Sequence, residues 1–422
     1  MRNVLVVAYY FPPMGFSGVH RVSKFVKYLP EFGWQPTVLT VEPAGYFAYD
    51  ASPLRELRDA GVEIRRTGSL DPTRFFGRRR TVRLPSEQVR SRLSSISQCL
   101  FIPDNKVGWL PYAVRAGNSL VRLTPFDAVF SSAPPYTAHL VAARLSRRHG
   151  IPLLVDFRDD WVGNPRHVYP TPLHARLNAR MERRVLCTSR HAVTINGHIR
   201  EALLERNPLG PRVTVIPHGY DSMTQGTANA KGSDRMRFVY TGVFYDAQTP
   251  DYFLRALARV IGSDATKARS VEAVFVGLLP DASKRLITDL DLGGNVCHVG
   301  YVSHADAVAW QRSADVLWMT IGSRPGAEGI STGKLFEYMG NRKPILALVP
   351  PGTARDALAR YGAAMVVDPH DVIGIEEVLL DLFDNWESGK PMIPDEDFVG
   401  RFDRRVLAED LAALLDECAT PE

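Results

Sequence analysis

The sequence predicts an α/β protein built from two Rossmann-like, doubly wound parallel-sheet domains. Three observations lead there. At 422 residues the chain exceeds what one hydrophobic core ordinarily encloses. Short β-branched runs alternate with longer helical patterns, the mark of successive βαβ units. That alternation stops at a polar, small-residue stretch and then starts again. With 45% hydrophobic and 23% charged residues, the composition lies near the globular average, which excludes disordered and fibrous classes.

The first domain is assigned to residues 1–217. Its opening run, 4–8, is apolar and is broken by Pro12-Pro13, which makes it a strand and not a signal peptide. Further strands are predicted at 37–40, 62–65, 128–131, 153–156, 191–195 and 213–216, with helical patterns at 19–29, 137–149 and 173–186. Residues 218–234 read as a linker. The second domain, 235–395, has strands at 237–240, 272–276, 296–299, 316–320, 345–349 and 364–367. Helices are predicted there at 249–261, 282–290, 305–313, 333–340, 353–361 and 373–385. A last periodic stretch, 404–415, follows a Pro/Asp-rich break, and residues 400–422 are assigned to the first domain as a returning helix. No repeat, no low-complexity segment and no run of roughly 20 apolar residues appears. A cytoplasmic location is expected, at most peripheral on the inner face of the membrane.

Cys99, Cys187, Cys297 and Cys418 are far apart and form no CxxC pair, which fits reduced thiols and neither a metal knot nor a disulfide framework. The net charge of +5 is unevenly spread. Arginines 74, 78, 79, 80, 83, 90 and 92 face the single acid Glu87. This run is either a solvated loop or a point of attraction to an anionic surface. Without interleaved aromatics, membrane lipid is favoured over nucleic acid, for which no fold signature is present.

Ligands of open α/β sheets bind beyond the carboxyl ends of strands, where amides and helix N-termini gather. Four post-strand loops are candidates. Residues 9–21 contain Gly15 and Gly18 in a turn that opens a helix, a geometry that admits an anion, although GxGxxG is absent. Residues 155–161 place Asp156, Arg158, Asp159 and Asp160 directly after a buried-type strand, where charges must be solvated, paired or at work. Arg158 is expected to pair with a carboxylate there, and Asp159 to face an acceptor. Adjacent Asp159 and Asp160 point apart, so no metal site is expected. At 240–246, Thr241 and Gly242 can donate to a diphosphate or form a plain turn. At 324–340, Ser331, Thr332 and Gly333 sit at a helix start, with Lys334 and Glu337 three residues apart on one face. A cation beside an anion site, with a carboxylate one turn on, suits a nucleoside diphosphate. The alternative is an ordinary Lys–Glu surface pair.

The stretch Gly333-Lys-Leu-Phe-Glu-Tyr-Met-Gly-Asn-Arg-Lys-Pro-Ile-Leu-Ala347 resembles the donor-site motif of family 4 glycosyltransferases. Residues 6–15, 156–161, 215–221 and 240–244 are similar to landmarks of that family in the same order. The resemblance implies the GT-B fold, two domains facing across a cleft. It also implies retaining, metal-independent transfer of a sugar from a nucleoside diphosphate sugar, with no cofactor required. Glu337 resembles the ribose-binding glutamate, and Gly18 the glycine that meets the diphosphate. Val299 and Tyr301 fall where the base is held, with Leu335 in the same motif. Asp159 falls in the acceptor-side segment, with Arg158 beside it. The family glutamate near the donor sugar corresponds to Gly329, so Glu328 or backbone amides must take its part. A basic residue usual after the second-domain glycine loop is missing, so Lys334 or Arg324 must supply the charge.

The expected partners are a nucleotide-sugar donor, a saccharide, lipid-linked or small-molecule acceptor, and an anionic membrane surface through 74–92. Two other readings stand beside this one: a nucleotide-sugar 2-epimerase of the same shape, and a non-catalytic accessory protein.

Overall fold

A computed structural model describes residues 1–15, 17–43, 49–72, 96–222, 234–244 and 248–420. The arginine run at 74–92 and most of the 225–234 stretch lie outside the described residues. The chain divides into two compact units. One comprises Met1–Pro217 with Arg404–Glu422, the other His218–Asp403.

The first unit contains strands β1 (Arg2–Val7), β2 (Trp34–Val41), β3 (Glu63–Thr67), β4 (Ala128–Ala133), β5 (Leu153–Phe157), β6 (His191–Thr194) and β7 (Arg212–Val215). They form one parallel sheet in the order β3-β2-β1-β4-β5-β6-β7. Its helices are α1 (Ser17–Tyr28), α2 (Ser52–Asp59), α3 (Leu110–Leu123), α4 (Thr137–His149), α5 (Pro172–Thr188) and α6 (Gly197–Arg206). The strand order reverses between β1 and β4, so the loops that follow these two strands part and leave a crevice for ligands.

The second unit has β8 (Met236–Val243), β9 (Val271–Leu278), β10 (Val296–Gly300), β11 (Val316–Thr320), β12 (Ile345–Leu348) and β13 (Ala364–Val367). Their order is β10-β9-β8-β11-β12-β13, with its reversal between β8 and β11. The helices are α7 (Asp251–Ser263), α8 (Ala265–Ser270), α9 (Asp281–Asp289), α10 (His304–Arg312), α11 (Gly333–Gly340), α12 (Thr353–Tyr361), α13 (Val372–Glu387) and α14 (Glu396–Gly400). Trp318 of β11 anchors one face of the sheet, stacked on Phe253 with centroids 4.2 Å apart and 4.9 Å from the Tyr240 ring.

Helix α15 (Arg404–Ala419) belongs to the first unit. Its Leu407, Leu411 and Leu415 join Val22, Phe25, Val26 and Trp34 in one core, and Trp34 Nε1 donates to Asp416 at 3.0 Å. Residues 400–403 stay with the second unit, so the return begins at Arg404. The stretch read as a linker from residue 218 also differs in its first residues. Tyr220 is buried, and its amide donates to Phe402 O at 3.0 Å. A Cβ on Gly340 would lie 2.2 Å from Cγ of Tyr220, so glycine is what lets α11 approach.

At the carboxyl end of β8, Gly242 pairs with Gly277 of β9. Both have positive φ, 120° and 131°, and a Cβ on Gly277 would stand 2.0 Å from Gly242 O. Gly277→Ala is therefore expected to cost about 3 kcal/mol through strain and overpacking. Urea unfolding checks this; an unchanged midpoint would show that the two strands separate without penalty.

Candidate functional site

In the second unit, the β11–α11 connection ends in a helix start that none of the described residues caps. Thr332 occupies the N-cap position but makes no capping bond. The Ser331 hydroxyl and the Thr332 hydroxyl are buried without a hydrogen-bond partner. Among the described residues no acceptor faces the amides of Gly333 and Lys334, the first two of α11. Buried polar groups are nearly always satisfied, so an orphaned cluster at a positive helix end marks a place for an anion.

Lys334 completes the cluster. Its ammonium makes no ion pair among the described residues and lies 3.6 Å from the centroid of the Tyr240 ring, a cation–π contact. Tyr240 is itself held by stacking on Phe244 at 4.2 Å. Burial pushes the Lys334 pKa down to about 7, with Glu337 pulling part of the way back. Glu337 follows one turn later, its Oε1 3.9 Å from His304 Nε2.

The helix is fixed from behind. Tyr338 Oη accepts from the Thr241 amide at 2.8 Å, and Gln311 Nε2 donates to Thr241 Oγ1 at 2.9 Å. Asn341 Nδ2 donates to Gln311 Oε1 and to Glu337 O, both at 2.8 Å. This corrects the reading of Thr241 as a diphosphate donor: its amide and hydroxyl are consumed in positioning α11. Gly242 remains beside Lys334, since a Cβ there would touch Lys334 Cε and Nζ at 3.4 Å.

The other residues of this unit are placed as follows. Glu328 is exposed in a short turn, Ala327–Gly329. Gly352 supports that turn from below, since a Cβ on it would lie 2.5 Å from Glu328 Cα. Gly329 and Arg324 flank the turn and are partly exposed. Leu335 is buried in the core. Val299 packs half-buried at the end of β10, and Tyr301, just beyond it, is 46% exposed.

In the first unit most charges after β5 are satisfied internally. Asp156 is fully buried. It accepts from Arg21 Nε at 3.0 Å, Arg21 Nη2 at 2.9 Å and Ser132 Oγ at 2.7 Å. Arg21 also donates to Pro217 O and Ile216 O. Asp160 is held by Arg206, which also reaches Glu182. Arg158 corrects an expectation. Among the described residues it pairs with no carboxylate; it donates to the carbonyls of Gly18, Ala133 and Pro134. A Cβ on Gly18 would sit 2.9 Å from Arg158 Nη1, so Gly18 makes room for this tie, while Gly15 lies partly exposed ahead of it. The α4 N-terminus is occupied from within: Asp104 accepts from the Thr137 amide at 3.0 Å and from its hydroxyl at 2.8 Å. Asp159 alone keeps a partly exposed carboxylate that accepts no hydrogen bond among the described residues.

Reasoning from sequence missed Tyr240, Gln311, Tyr338 and Asn341 as site-builders, and Arg21 as the partner of Asp156. Only Asn341, four residues after Glu337 on the same helical face, carried a local signal.

Comparisons with known proteins identify the family and the fold. The family model described as "Glycosyl transferase 4-like domain" matches residues 18–219, and "Glycosyl transferases group 1" matches residues 224–395. The chain belongs to the family 4 glycosyltransferases of GT-B type and is a glycosyltransferase. Among solved structures it is similar to sucrose-phosphate synthase from Thermosynechococcus elongatus, with TM-score 0.66, 14% identity and 99% of each chain covered. Anabaena Alr3699/HepE in complex with UDP gives TM-score 0.64 at 14% identity, covering 99% of this chain and 100% of that one. A putative UDP-N-acetylglucosamine 2-epimerase from Listeria monocytogenes gives 0.58 at 14% identity, covering 98% and 96%. No curated protein matches.

Removing one member of a buried ion pair strands the other. Arg21→Ala is accordingly expected to destabilise the first unit by about 3–5 kcal/mol, read by chemical denaturation. A loss below about 1 kcal/mol would mean that water replaces Arg21 around Asp156.

Proposed function

We propose that the protein is a retaining, metal-independent transferase that moves a sugar from a nucleoside diphosphate sugar to an acceptor hydroxyl. The observation that carries this reading is the uncapped start of α11, where two orphaned hydroxyls, bare amides and the unpaired Lys334 converge. Amides, two hydroxyls and one lysine at a single helix start suit a ligand with several acceptor oxygens, such as a diphosphate. Glu337, one turn along, accepts the vicinal ribose hydroxyls. Val299 and the exposed Tyr301 hold the base, and the sugar lies toward Glu328, Gly329 and Arg324.

In the reaction the bond between the anomeric carbon and the diphosphate oxygen breaks as charge builds on the leaving phosphate. Lys334 and the helix amides stabilise that charge. The acceptor oxygen bonds to the anomeric carbon on the same face, and its proton passes to the departing phosphate oxygen. No strong protein base is needed. Asp159 orients the acceptor. The acceptor is a saccharide, placed in cell-envelope polysaccharide or glycolipid assembly on the strength of the arginine run at 74–92. An epimerase of similar fold needs no acceptor, so release of free nucleotide that depends on added acceptor separates the two activities.

The test is calorimetry against UDP, GDP, dTDP and ADP. UDP comes first because the Anabaena structures contain UDP and UDP-glucose. One nucleotide is expected to bind, with affinity reduced about 10- to 100-fold in Lys334→Met and in Glu337→Ala, as for lost hydrogen bonds to charged groups. No binding by the unaltered chain would favour an accessory protein.

The low Lys334 pKa gives that binding a pH signature. A diphosphate binds the ammonium form, so above about pH 7 complex formation takes up a proton. Affinity weakens toward tenfold per pH unit there, and levels off below it until the ligand's terminal phosphate gains a proton at about pH 6. Lys334→Met should abolish the slope; a slope that survives would assign the proton to another group. Asp159→Asn is expected to lower turnover about 100-fold by loosening acceptor geometry while nucleotide affinity stays unchanged. Equal losses in both would move Asp159 to the donor.

A further inference from the structure

Helix α5 follows β5, so it starts at the carboxyl edge of the first sheet, on the side where the Asp159 loop ends, and runs back toward the amino end of β6. Its outward face carries Leu173, Arg176, Leu177, Arg180, Arg183 and Arg184, all exposed. The one acid of the helix, Glu182, is buried and bound to Arg206 and Asn207. None of the four arginines meets a carboxylate among the described residues. The exposed face therefore carries four cations and no acid, without the i±3 or i±4 acidic neighbours that would offset them.

The apolar residues on this side make the face more specific. Leu173 is 61% exposed, Val168 53%, Ile96 57% and Leu100 71%. They belong to one surface. The Val168 amide donates to Gln98 Oε1, Gln98 Nε2 reaches Arg166 O at 3.4 Å, and His174 Nε2 lies 3.2 Å from Cys99 O. Exposed leucines and isoleucine at one end of a helix, with guanidinium groups along the rest of it, form the two-part pattern that interfacial membrane binding requires. Aliphatic side chains enter the headgroup boundary while arginines contact lipid phosphates. A single-stranded nucleic acid would call for aromatic stacking partners, and the exposed residues named here are aliphatic or basic.

We propose that the α5 face, with Ile96, Leu100 and Val168, docks the protein on an anionic bilayer surface. Docked there, the loop carrying Asp159 lies at the membrane, and the acceptor is a sugar borne on a lipid. The location of the acceptor rests on the transferase reading above; the docking itself does not.

The test is co-sedimentation of the full chain with vesicles of phosphatidylcholine alone, or of phosphatidylcholine and phosphatidylglycerol in equal parts. Binding is expected only to the second, and to weaken with salt. At about fivefold per basic residue near the surface, Arg180→Gln with Arg184→Gln should weaken it more than tenfold. Leu173→Ser with Leu177→Ser should weaken it at high salt, where the apolar contribution dominates. Nucleotide binding by calorimetry should be unchanged in all these variants, which shows that they fold and separates failure of docking from failure of the donor reading. The proposal is overturned if the unaltered chain ignores anionic vesicles, or if the α5 variants bind them as the unaltered chain does. It is equally overturned if Arg78→Gln, Arg79→Gln and Arg80→Gln together abolish binding while the α5 variants leave it intact. Retention by a soluble polyanion with no vesicle binding would point to a non-membrane partner and overturn it as well.

Discussion

Helix α11 is held at its base by the Asn341–Gln311–Thr241–Tyr338 chain, and everything proposed for the second unit depends on that anchorage. A helix start with bare amides, two unsatisfied hydroxyls and a desolvated lysine is unfavourable in the free protein. Left to itself, such a segment would fray until water reached it. The polar chain behind prevents this, with all its members buried or nearly so and each bonded to the next. Tyr240 works from the other side, giving the Lys334 ammonium an aromatic face in place of a carboxylate. Lys334 is thus held near the helix end without an ion pair among the described residues, and burial makes its proton easy to lose.

The two units handle charge in opposite ways. In the first, Asp156 is neutralised by Arg21, Asp160 by Arg206, and the α4 N-terminus by Asp104. Arg158 uses its guanidinium to tie three backbone carbonyls together. The result is a rigid frame around a single open carboxylate, Asp159. In the second unit, no anion among the described residues meets the equivalent helix start. The same sheet topology therefore gives one edge that is electrostatically closed and one that is electrostatically open, and the difference comes from a few side chains outside the regular elements.

The thirteen described strands could be placed from the sequence: the central ones, buried on both faces, read as short apolar runs, while the partly exposed edge strands β3, β7 and β10 show through their place in the βαβ alternation. Helices were harder. Helices α3 and α6 are not among the patterns read from the sequence; Gly117 and Asn118 interrupt that of α3, and Gly117 is there because a Cβ would lie 2.5 Å from Leu145 Cδ1 of α4. The short helices α2, α8 and α14 offer too few turns for a period to show. Within the site, Ser331, Lys334 and Glu337 were legible because cap, cation and carboxylate fall within seven residues. The Arg21–Asp156 pair spans 135 positions, and the contact of Lys334 with Tyr240 joins two elements across the strand reversal. Neither leaves a local trace. Arg158 misled because a charged residue among carboxylates suggests an ion pair, while the fold gave it carbonyls.

Unit one is discontinuous in the chain, and this bears on the order of events during synthesis. Residues 218–403 form a continuous segment that can fold as soon as it leaves the ribosome. The earlier 217 residues must wait, because one side of their sheet is covered by Leu407, Leu411 and Leu415 of α15, which emerge later. Until then the sides of Val22, Phe25, Val26 and Trp34 that meet α15 remain uncovered. The first domain to be translated is therefore the last to be completed, and a nascent chain halted before residue 404 would present an open hydrophobic face to chaperones.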